Sequence, residues 1–471
     1  MALMAQAIRL TPAATSEPPA RIDPRTSALL RGPIVPLLLT MAWPNIVLML
    51  AQASTGLIET FWVSRLGTDA LAGMALVFPG VMLMQMIAAG SLGGAISSAI
   101  ARALGSRRTG DADALVLHAL IVNVALGLIA SVLMLAFGPQ LYFALGGRGA
   151  SLDAALRYSN VVFAGNVLIW TTNGLASVVR GTGNMLVPAL VICAGTVILI
   201  PLSPLLIFGA GPFPALGIAG GGVAMLVSFA CGTAALAFYV LTGRSVVRLR
   251  LRRLQRRIFA DILGMGAVAT VSSVQTNLTI GFTTGLVATV AGPAGVAGYG
   301  TGARLEYLLI PLVFGLGAPL VALVGTNIGA RQPARALRIA LVGGAIAFAM
   351  TEAIGVAAAL WPHRWLGLFG ADPVMISSGS AYLRAVGPFY GFFGLGLALY
   401  FASQGAGRLG WPLFAGFLRM GIAIGGGWLV LRATGSLVFL FAALGVGMLT
   451  YGIVVASAVT SGSWFRGRQR A

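Results

Sequence analysis

The chain has 471 residues, of which 58% are hydrophobic and only 9% are charged, and its mean hydropathy is +0.94. This composition excludes an ordinary soluble domain and is typical of a protein that crosses a membrane many times. The formal net charge of +19 comes from arginines that stand in short segments between apolar runs. The positive-inside bias and anionic membrane lipids account for such arginines, so we expect no binding of nucleic acid.

The first 32 residues lack an apolar core followed by a cleavage site, so they predict a flexible cytosolic N-terminal tail rather than a signal peptide. Twelve apolar stretches follow, each long enough for a helix that crosses about 30 Å of hydrocarbon. They are 34–63, 70–101, 114–137, 154–180, 186–209, 217–242, 259–290, 295–326, 336–361, 377–403, 410–432 and 436–460. Continuous runs of this length predict helices and not the alternating strands of a barrel.

A basic segment, Arg244 to Arg257, divides these stretches into two sets of six. Residues of the two sets coincide at a separation of 224 positions, for example Arg107 with Arg331 and Tyr158 with Tyr382. Two copies with six crossings each share one orientation, which predicts a pseudo-twofold axis along the membrane normal and a cavity between the halves. The sequence therefore predicts an all-α polytopic membrane protein with twelve transmembrane helices as two six-helix bundles. Its parts are a tail at 1–32, an N-lobe at 33–243, a cytosolic linker at 244–257, a C-lobe at 258–460 and a tail at 461–471.

The arginines are strongly enriched on the side of the linker and the termini, which predicts that both ends are cytosolic. Because one chain already holds both lobes, we expect a monomer. Prolines inside the apolar stretches remove backbone hydrogen bonds and mark candidate hinges. These hinge candidates are Pro44, Pro311 and Pro319.

Three of the eleven acidic residues, Glu59, Glu306 and Glu352, fall well inside apolar stretches. A charge at bilayer depth costs about 2.5–3.5 kcal/mol on insertion scales, so such residues are candidates for function. The alternative is that each carboxylate pairs with an arginine or a hydroxyl and holds helices together. A carboxylic acid away from water holds and releases a proton close to neutral pH, which an ion-coupled antiporter needs.

Polar side chains share helical faces with these acids or form a stripe on the seventh stretch, which predicts a polar cavity inside the protein. The candidate cavity residues are Gln52, Thr55, Gln275, Asn277, Thr279, Tyr299 and Glu352. The two histidines are far apart, and both cysteines lie in apolar runs. The sequence therefore predicts no metal site, no cofactor and no catalytic residues, and we do not expect an enzyme.

Several strings, taken together in their order and spacing, resemble the multidrug and toxic compound extrusion (MATE) family. They include Glu59-Thr-Phe-Trp-Val-Ser-Arg-Leu-Gly67, Tyr299-Gly-Thr-Gly-Ala-Arg-Leu-Glu306 and Gln404-Gly-Ala-Gly407. The resemblance implies alternating access in a bacterial inner membrane, with export of organic cations or other amphipathic compounds in exchange for H⁺ or Na⁺.

The resemblance also implies roles for individual residues. Glu59 stands where many members carry an aspartate of the cation site, and Glu306 would be the acid of the C-lobe. Many members have Asn and Asp where this chain has Leu199 and Ser203. The sodium site therefore looks incomplete, which favours protons as the coupling ion.

Two other functions remain open at this point. A flippase for lipid-linked oligosaccharides would need a cavity lined with arginine, for which Arg304, Arg384 and Arg419 are available. A passive channel would conduct without coupling to protons or sodium, and it would leave the intramembrane glutamates without a role.

Overall fold

The computed structural model describes residues 23–209, 214–462 and 464, and these residues form helices and connecting segments without a β-strand. Nine α-helices of the described residues precede the linker: α1 (Pro24–Arg31), α2 (Ile34–Ser64), α3 (Thr68–Gln85), α4 (Gly93–Gly105), α5 (Thr109–Ala144), α6 (Gly149–Ala164), α7 (Asn166–Gly181), α8 (Leu186–Phe208) and α9 (Ile218–Leu241). A π-helix, Met86–Leu92, joins α3 to α4.

In the described part after the linker there are nine more α-helices: α10 (Arg256–Val290), α11 (Pro293–Gly329), α12 (Pro333–Leu360), α13 (Pro362–Leu366), α14 (Pro373–Val386), α15 (Tyr390–Ala406), α16 (Gly410–Met420), α17 (Gly427–Thr434) and α18 (Leu437–Thr460). A short 3₁₀ turn, Gly387–Phe389, joins α14 to α15, and a π-helix, Gly421–Gly426, joins α16 to α17.

Within the described residues, eleven helices or continuous helical segments are long and apolar enough to cross a membrane, and the bent pair α6 and α7 makes a twelfth span. Six spans precede the linker and six follow it, which confirms the predicted all-α membrane fold. The fourth span was predicted as one helix over 154–180, but it breaks at Gly165 with a bend of 47°. At this break α9 approaches so closely that a Cβ on Gly165 would lie 2.4 Å from a methyl carbon of Leu226.

The predicted N-terminal tail contains ordered structure in its last part. Residues 1–22 lie outside the described residues, but Pro24–Arg31 forms α1, with Asp23 accepting a hydrogen bond from the Arg25 amide at 2.8 Å. Leu29 is buried, and the Asn327 side chain donates to its carbonyl at 3.1 Å. A flexible tail was therefore the wrong expectation for this segment, because its short apolar face packs against the end of α11.

The two lobes are related by an internal twofold. A Cβ on Gly105 would lie 2.0 Å from the Thr326 carbonyl oxygen, and a Cβ on Gly329 would lie 2.2 Å from the Arg102 carbonyl oxygen. Gly105 and Gly329 are 224 residues apart, as are Arg102 and Thr326, so exchanging the repeats turns one contact into the other. Such reciprocal contacts define a twofold interface. Arg107 and Arg331, the next corresponding pair, both have φ of 58°.

The lobes join in the half of the molecule that carries the linker. There the Ser98 hydroxyl donates to the Gln404 carbonyl at 2.5 Å, and the Arg102 guanidinium pairs with Asp261 at 2.8 Å. In the opposite half, α3 packs mainly on α2 and α6 of its own lobe, and none of the described C-lobe helices packs extensively on it. A Cβ on Gly281 of α10 would have nothing within 4 Å. The lobes therefore converge at the linker face and separate toward the other face.

The helix α2 belongs to both lobes. Its first residues, including Leu38 and Met41, are part of the C-lobe core, and a Cβ on Gly315 of α11 would lie 2.5 Å from Ile46. Farther along the helix, Gln52 and Glu59 lie beside residues of the N-lobe helix α8. The hinge candidates Pro44, Pro311 and Pro319 all lie inside continuous helices, the first in α2 and the other two in α11.

The linker packs on α5 rather than standing free. The Arg248 amide donates to Asp113 at 2.9 Å, and the Gln255 amide donates to the buried ring of His118 at 2.8 Å. Arg250 and Arg257 pair with Asp113 and Asp111 at 3.7 and 3.0 Å. The carboxylates of α5 thus neutralise part of the linker and hold it against the N-lobe.

Candidate functional site

The N-lobe encloses a pocket of about 100 Å³ between α2, α3, α7, α8 and α9, which we call the N-lobe pocket. Gln52, Thr55 and Glu59 all line it, because their spacing of three and four residues puts them on one face of α2. Tyr158 of α6 also reaches this pocket. The structure therefore brings together the polar stripe that the sequence predicted on the first span.

Glu59 is the acidic group of the N-lobe pocket, and it has no positive partner among the described residues. Its side chain is only 7% exposed, it is part of no salt bridge there, and its Oε1 atom accepts no hydrogen bond. An ionised carboxylate in such a place is costly unless a positive charge neutralises it. The pocket can therefore accommodate a proton or a cation at Glu59.

A second pocket of about 30 Å³, the C-lobe pocket, surrounds Glu306 of α11. Arg419 of α16 pairs with one carboxylate oxygen of Glu306 at 3.3 Å, and the Tyr382 hydroxyl donates to the other at 3.0 Å. The Tyr299 ring meets the Tyr382 ring edge-to-face at 5.2 Å, and Thr279 also lines this pocket. In this arrangement Glu306 is neutralised by a residue 113 positions away in the chain.

The partner of Glu306, Arg419, is one of the three arginines that the sequence offered for the lining of a cavity. Arg304 lies too far around the helix to pair with it, and its guanidinium lies 5.7 Å from the Phe369 ring centroid instead. The Arg419 guanidinium also lies 4.8 Å from the Phe393 ring centroid, a distance typical of a cation–π contact. The alternative expectation, a carboxylate that pairs with an arginine and a hydroxyl, therefore describes Glu306 in this conformation.

A third pocket of about 100 Å³, the aromatic pocket, lies next to the C-lobe pocket and shares Arg419 and Thr279 with it. Gln275 lines it and is buried, and its Nε2 has no hydrogen-bond partner among the described residues. The ring-bearing residues of its lining are Phe314, Phe393, Tyr400, Phe401, Pro412 and Tyr451. One cation among aromatic faces can receive a flat amphipathic molecule.

A fourth pocket of about 40 Å³, the inter-lobe pocket, contains a residue that sequence analysis did not identify as functional. Arg180 of α7 is only 8% exposed, and its Nε donates to the Ala176 carbonyl at 3.3 Å. None of the salt bridges among the described residues includes it. The available signal was the repeat, since Arg180 corresponds to Gln404, which lines the same pocket from the other lobe.

Two predicted cavity residues lie outside these pockets. Asn277 is exposed on α10, where its amide donates to the Ser273 carbonyl one turn earlier at 2.9 Å. Glu352 of α12 accepts a hydrogen bond from the Gly391 amide at 2.7 Å, at the beginning of α15. This contact satisfies a free amide of a helix N-terminus, so Glu352 joins two helices of the C-lobe.

The described residues contain no group of three or more His, Cys, Asp or Glu side chains placed to hold a metal ion. Glu59 stands among neutral side chains in the described lining of the N-lobe pocket, and Glu306 stands beside Arg419 in the C-lobe pocket. The arrangement offers sites for single protons and for polar groups of a ligand.

The chain is similar in sequence to a protein family and to known membrane transporters. A family model described as MatE matches residues 44–205 and 269–429. An FAD transporter from Shewanella oneidensis is 29% identical over 384 residues, which are 80% of this chain and 82% of that protein. A probable multidrug resistance protein, NorM from Thermotoga maritima, is 22% identical over 391 residues, 81% of this chain and 82% of that protein.

Solved structures agree with the sequence comparisons. A crystal structure of MATE in the bent conformation has a TM-score of 0.86 at 25% identity, covering 94% of this chain and all of that one. A MOP superfamily transporter from Pyrococcus furiosus, described as having a binding pocket of reversed polarity, has a TM-score of 0.85 at 25% identity. That structure covers 94% of this chain and 98% of its own.

Proposed function

Because the two matched ranges make up more than half of the chain, it belongs to the MatE family, and we propose that it is a proton-coupled exporter. Its family is one of multi-pass membrane transporters that includes multidrug resistance proteins. The proposed activity is secondary-active export of organic cations or other amphipathic compounds in exchange for H⁺. It needs no cofactor and makes or breaks no covalent bond of the substrate.

The observation that carries the proposal is the isolated carboxylate of Glu59. It is buried in the N-lobe pocket, and no cation among the described residues neutralises it. A proton at Glu59 would offset the cost of burial, and loss of that proton would favour a lobe arrangement in which water or a cationic substrate reaches the pocket. Proton binding and substrate binding would then compete through one group.

Protons suit this pocket better than sodium. Hard metal cations bind to several oxygen ligands at once. Leu199 presents an alkyl group to the N-lobe pocket, and Thr55 already donates its hydroxyl to the Ala51 carbonyl at 2.9 Å. Glu59 is the single carboxylate in the described lining, and the other side-chain oxygens there belong to neutral groups such as Gln52 and Thr172.

The arrangement of the lobes supports alternating access. The arginines concentrated on the linker face favour a cytosolic location for that face and for both termini, in a bacterial inner membrane. The lobes converge at that face, so the conformation described here would be closed to the cytosol. Bending of α2 near Pro44 and of α11 near Pro311 and Pro319 would change which face is open.

Glu306 would serve a second step in the C-lobe. Its pairing with Arg419 leaves it neutralised in this conformation. A cationic substrate in the adjacent aromatic pocket would compete with Arg419 for the same carboxylate, so binding would exchange one positive partner for another. Both lobes then contribute to coupling, but only Glu59 gives up its own proton.

A second candidate substrate is a flavin dinucleotide, which is the transported compound in the name of the Shewanella relative. Two observations favour it: the described lining of the inter-lobe pocket holds Arg180 and no carboxylate, and that of the aromatic pocket holds Arg419, whose partner Glu306 lies in the adjacent pocket. Guanidinium groups bind phosphates, and aromatic side chains stack on a flat ring system. This combination fits an anionic amphipath better than a cation.

Transport by the purified chain in proteoliposomes tests the proposal. Ethidium and FAD are each offered as substrate under an imposed proton gradient, an imposed sodium gradient, or neither, with protein-free liposomes as the control. We expect movement of substrate that follows the proton gradient and disappears when a proton ionophore collapses it. Transport driven by sodium alone, or downhill flux without coupling, would contradict the proposal, and the substrate that moves decides between the two candidates.

A further inference from the structure

A large cavity lies outside all the pockets discussed so far. It has a volume of about 1160 Å³ and opens at the linker face, beneath the crossing of Gly105 and Gly329. We call it the vestibule. Its size exceeds that of most small-molecule pockets, which range from about 300 to 1,000 Å³.

Among the described residues, six guanidinium groups line the vestibule, with one carboxylate, that of Asp261. The N-terminal half of the chain contributes four of them and the C-lobe two. They belong to Arg31, Arg102, Arg107, Arg108, Arg331 and Arg408. Asp261 is already paired with Arg102 at 2.8 Å, so the lining carries a large excess of positive charge.

The arginines of the linker face fall into two groups. Arg250 and Arg257 pair with the carboxylates of α5 and stand outside the vestibule. In contrast, the salt bridges among the described residues include none of Arg31, Arg331 and Arg408. The acidic residues of this face thus pair with the linker and with two vestibule arginines, Arg102 and Arg108, and leave the other vestibule arginines without a carboxylate among the described residues.

The internal twofold arranges this charge across the junction of the lobes. Arg107 and Arg331 correspond in the repeat and share an unusual backbone conformation, with φ of 58° at each. Both are exposed to the vestibule, one from each lobe. An anion in the vestibule would meet guanidinium groups of both lobes at once.

We propose that the vestibule is a binding site for a phosphate-bearing anion, which bridges the two lobes at the linker face. Arginine suits this ligand because its planar fork of donors matches phosphate oxygens. The proposal goes beyond the transport activity and does not depend on which compound is exported. The phosphates can belong to a soluble nucleotide or to an anionic lipid headgroup, since both present the same chemistry to the cavity.

Binding at this place has a consequence for conformation. The vestibule exists in the arrangement in which the lobes converge at the linker face, and its arginines would separate if that face opened. A ligand that binds one arrangement better than the other shifts the population toward it. A bridging phosphate would therefore stabilise the conformation closed at the linker face and slow its opening.

A simpler explanation attributes these arginines to membrane orientation and to helix ends. The positive-inside bias enriches arginine at a cytosolic face, and cations are favourable near helix C-termini such as those of α4 and α11. Under that explanation every arginine of the face is equivalent and none forms a site. The two explanations differ in whether individual vestibule arginines matter more than paired arginines nearby.

Calorimetric titration of the purified chain with pyrophosphate at 150 mM salt distinguishes them. Screening at this salt concentration weakens long-range attraction beyond about 8 Å and leaves close contacts. The vestibule variants are Arg408→Gln and Arg331→Gln, and the matched control is Arg250→Gln, an exposed arginine of the same face that lies outside the cavity. We expect each vestibule variant to weaken binding about tenfold and the control to leave it unchanged.

A second measurement identifies the source of the phosphate. The same variants are placed in nanodiscs of phosphatidylcholine with or without phosphatidylglycerol, and their thermal stability is measured. Pyrophosphate binding that depends on Arg408 and Arg331 supports a soluble ligand. Stabilisation by phosphatidylglycerol alone, with the same dependence, supports a lipid. No binding of either probe, or equal loss in the Arg250 control, would overturn the proposal.

Discussion

The N-lobe pocket and the C-lobe pocket occupy corresponding places in two copies of one fold, yet their carboxylates differ in whether an arginine pairs with them. Tyr158 lines the first and Tyr382 the second, at positions 224 residues apart. Glu59 has no positive partner among the described residues, whereas Glu306 is paired with Arg419 at 3.3 Å. The same scaffold therefore holds one isolated acid and one neutralised acid.

Positions at which the two repeats carry different residues explain this difference. The position that corresponds to Glu59 is Thr283 in the C-lobe pocket, so the acid there stands on α11 and not on α10. The position that corresponds to Arg419 is Gly195, which lines the N-lobe pocket without a side chain. Duplication preserved the cavity, and substitution at two or three positions changed its electrostatics. Corresponding positions in a repeat protein thus share geometry without sharing a chemical role.

The strongest test of this comparison is Glu59→Gln. Because this change removes the proton-binding group and keeps the side-chain shape, we expect proton-driven transport to fall about 100-fold, near the upper end of typical coupling between two sites. Transport in proteoliposomes under an imposed pH gradient measures it, and the remaining activity should no longer depend on pH. Thermal stability in detergent serves as the control, since no partner of Glu59 among the described residues is lost. Unchanged coupling would show that the isolated acid is not the proton site.

The matching change in the other lobe, Glu306→Gln, should act on stability. It leaves the Arg419 guanidinium in a pocket where the two side chains are only 11% and 15% exposed. We expect the free energy of unfolding to decrease by about 2 kcal/mol, less than for a fully buried pair because some water reaches these groups. Thermal unfolding of this variant beside Glu59→Gln gives the measurement. Equal melting temperatures for the two variants would mean that the ion pair contributes nothing to the fold.

The two corresponding tyrosines should show a smaller difference in their contribution to stability. Tyr382→Phe removes the hydrogen bond to Glu306, so we expect a loss of about 1 kcal/mol. No hydrogen bond is found for the Tyr158 hydroxyl among the described residues, so Tyr158→Phe should change stability by less than about 0.5 kcal/mol. Denaturation of both variants under one set of conditions compares them directly. A larger effect at Tyr158 would indicate a hydrogen bond to Glu59 in another conformation.

The smallest expected effect is at Thr283, the position that corresponds to Glu59. Its hydroxyl is buried in the C-lobe pocket and has no hydrogen-bond partner among the described residues. Thr283→Val removes an unsatisfied polar atom, so we expect stability to be unchanged or to rise by about 0.5 kcal/mol, with transport unaffected. A clear loss of transport would show that this hydroxyl binds the substrate or a water molecule during the cycle.

Much of the architecture followed from the sequence because hydropathy and length are local properties. Runs of apolar residues predicted the twelve spans, and most of their ends agree with the observed helices within a few residues. The repeat predicted the twofold, which the reciprocal packing of Gly105 and Gly329 then showed in detail. The break at Gly165 was missed, because the close approach of α9 is not visible in the local pattern of α6 and α7.

The candidate site was less predictable from the sequence. Periodicity correctly placed Gln52, Thr55 and Glu59 on one face, since spacing along a single helix determines that face. Periodicity could not show that Asn277 and Glu352 lie outside the pockets, because the surroundings of these two residues depend on how other helices pack.

The sequence by itself determined that this chain crosses a membrane as two related bundles and carries acidic groups inside them. Only the tertiary structure decided which acid is neutralised, where Arg180 lies, and that six arginines of the linker face share one vestibule. The physical reason is that an apolar helical span is defined by residues adjacent in the chain. The neutralisation of a buried charge depends on a side chain that can lie more than a hundred residues away.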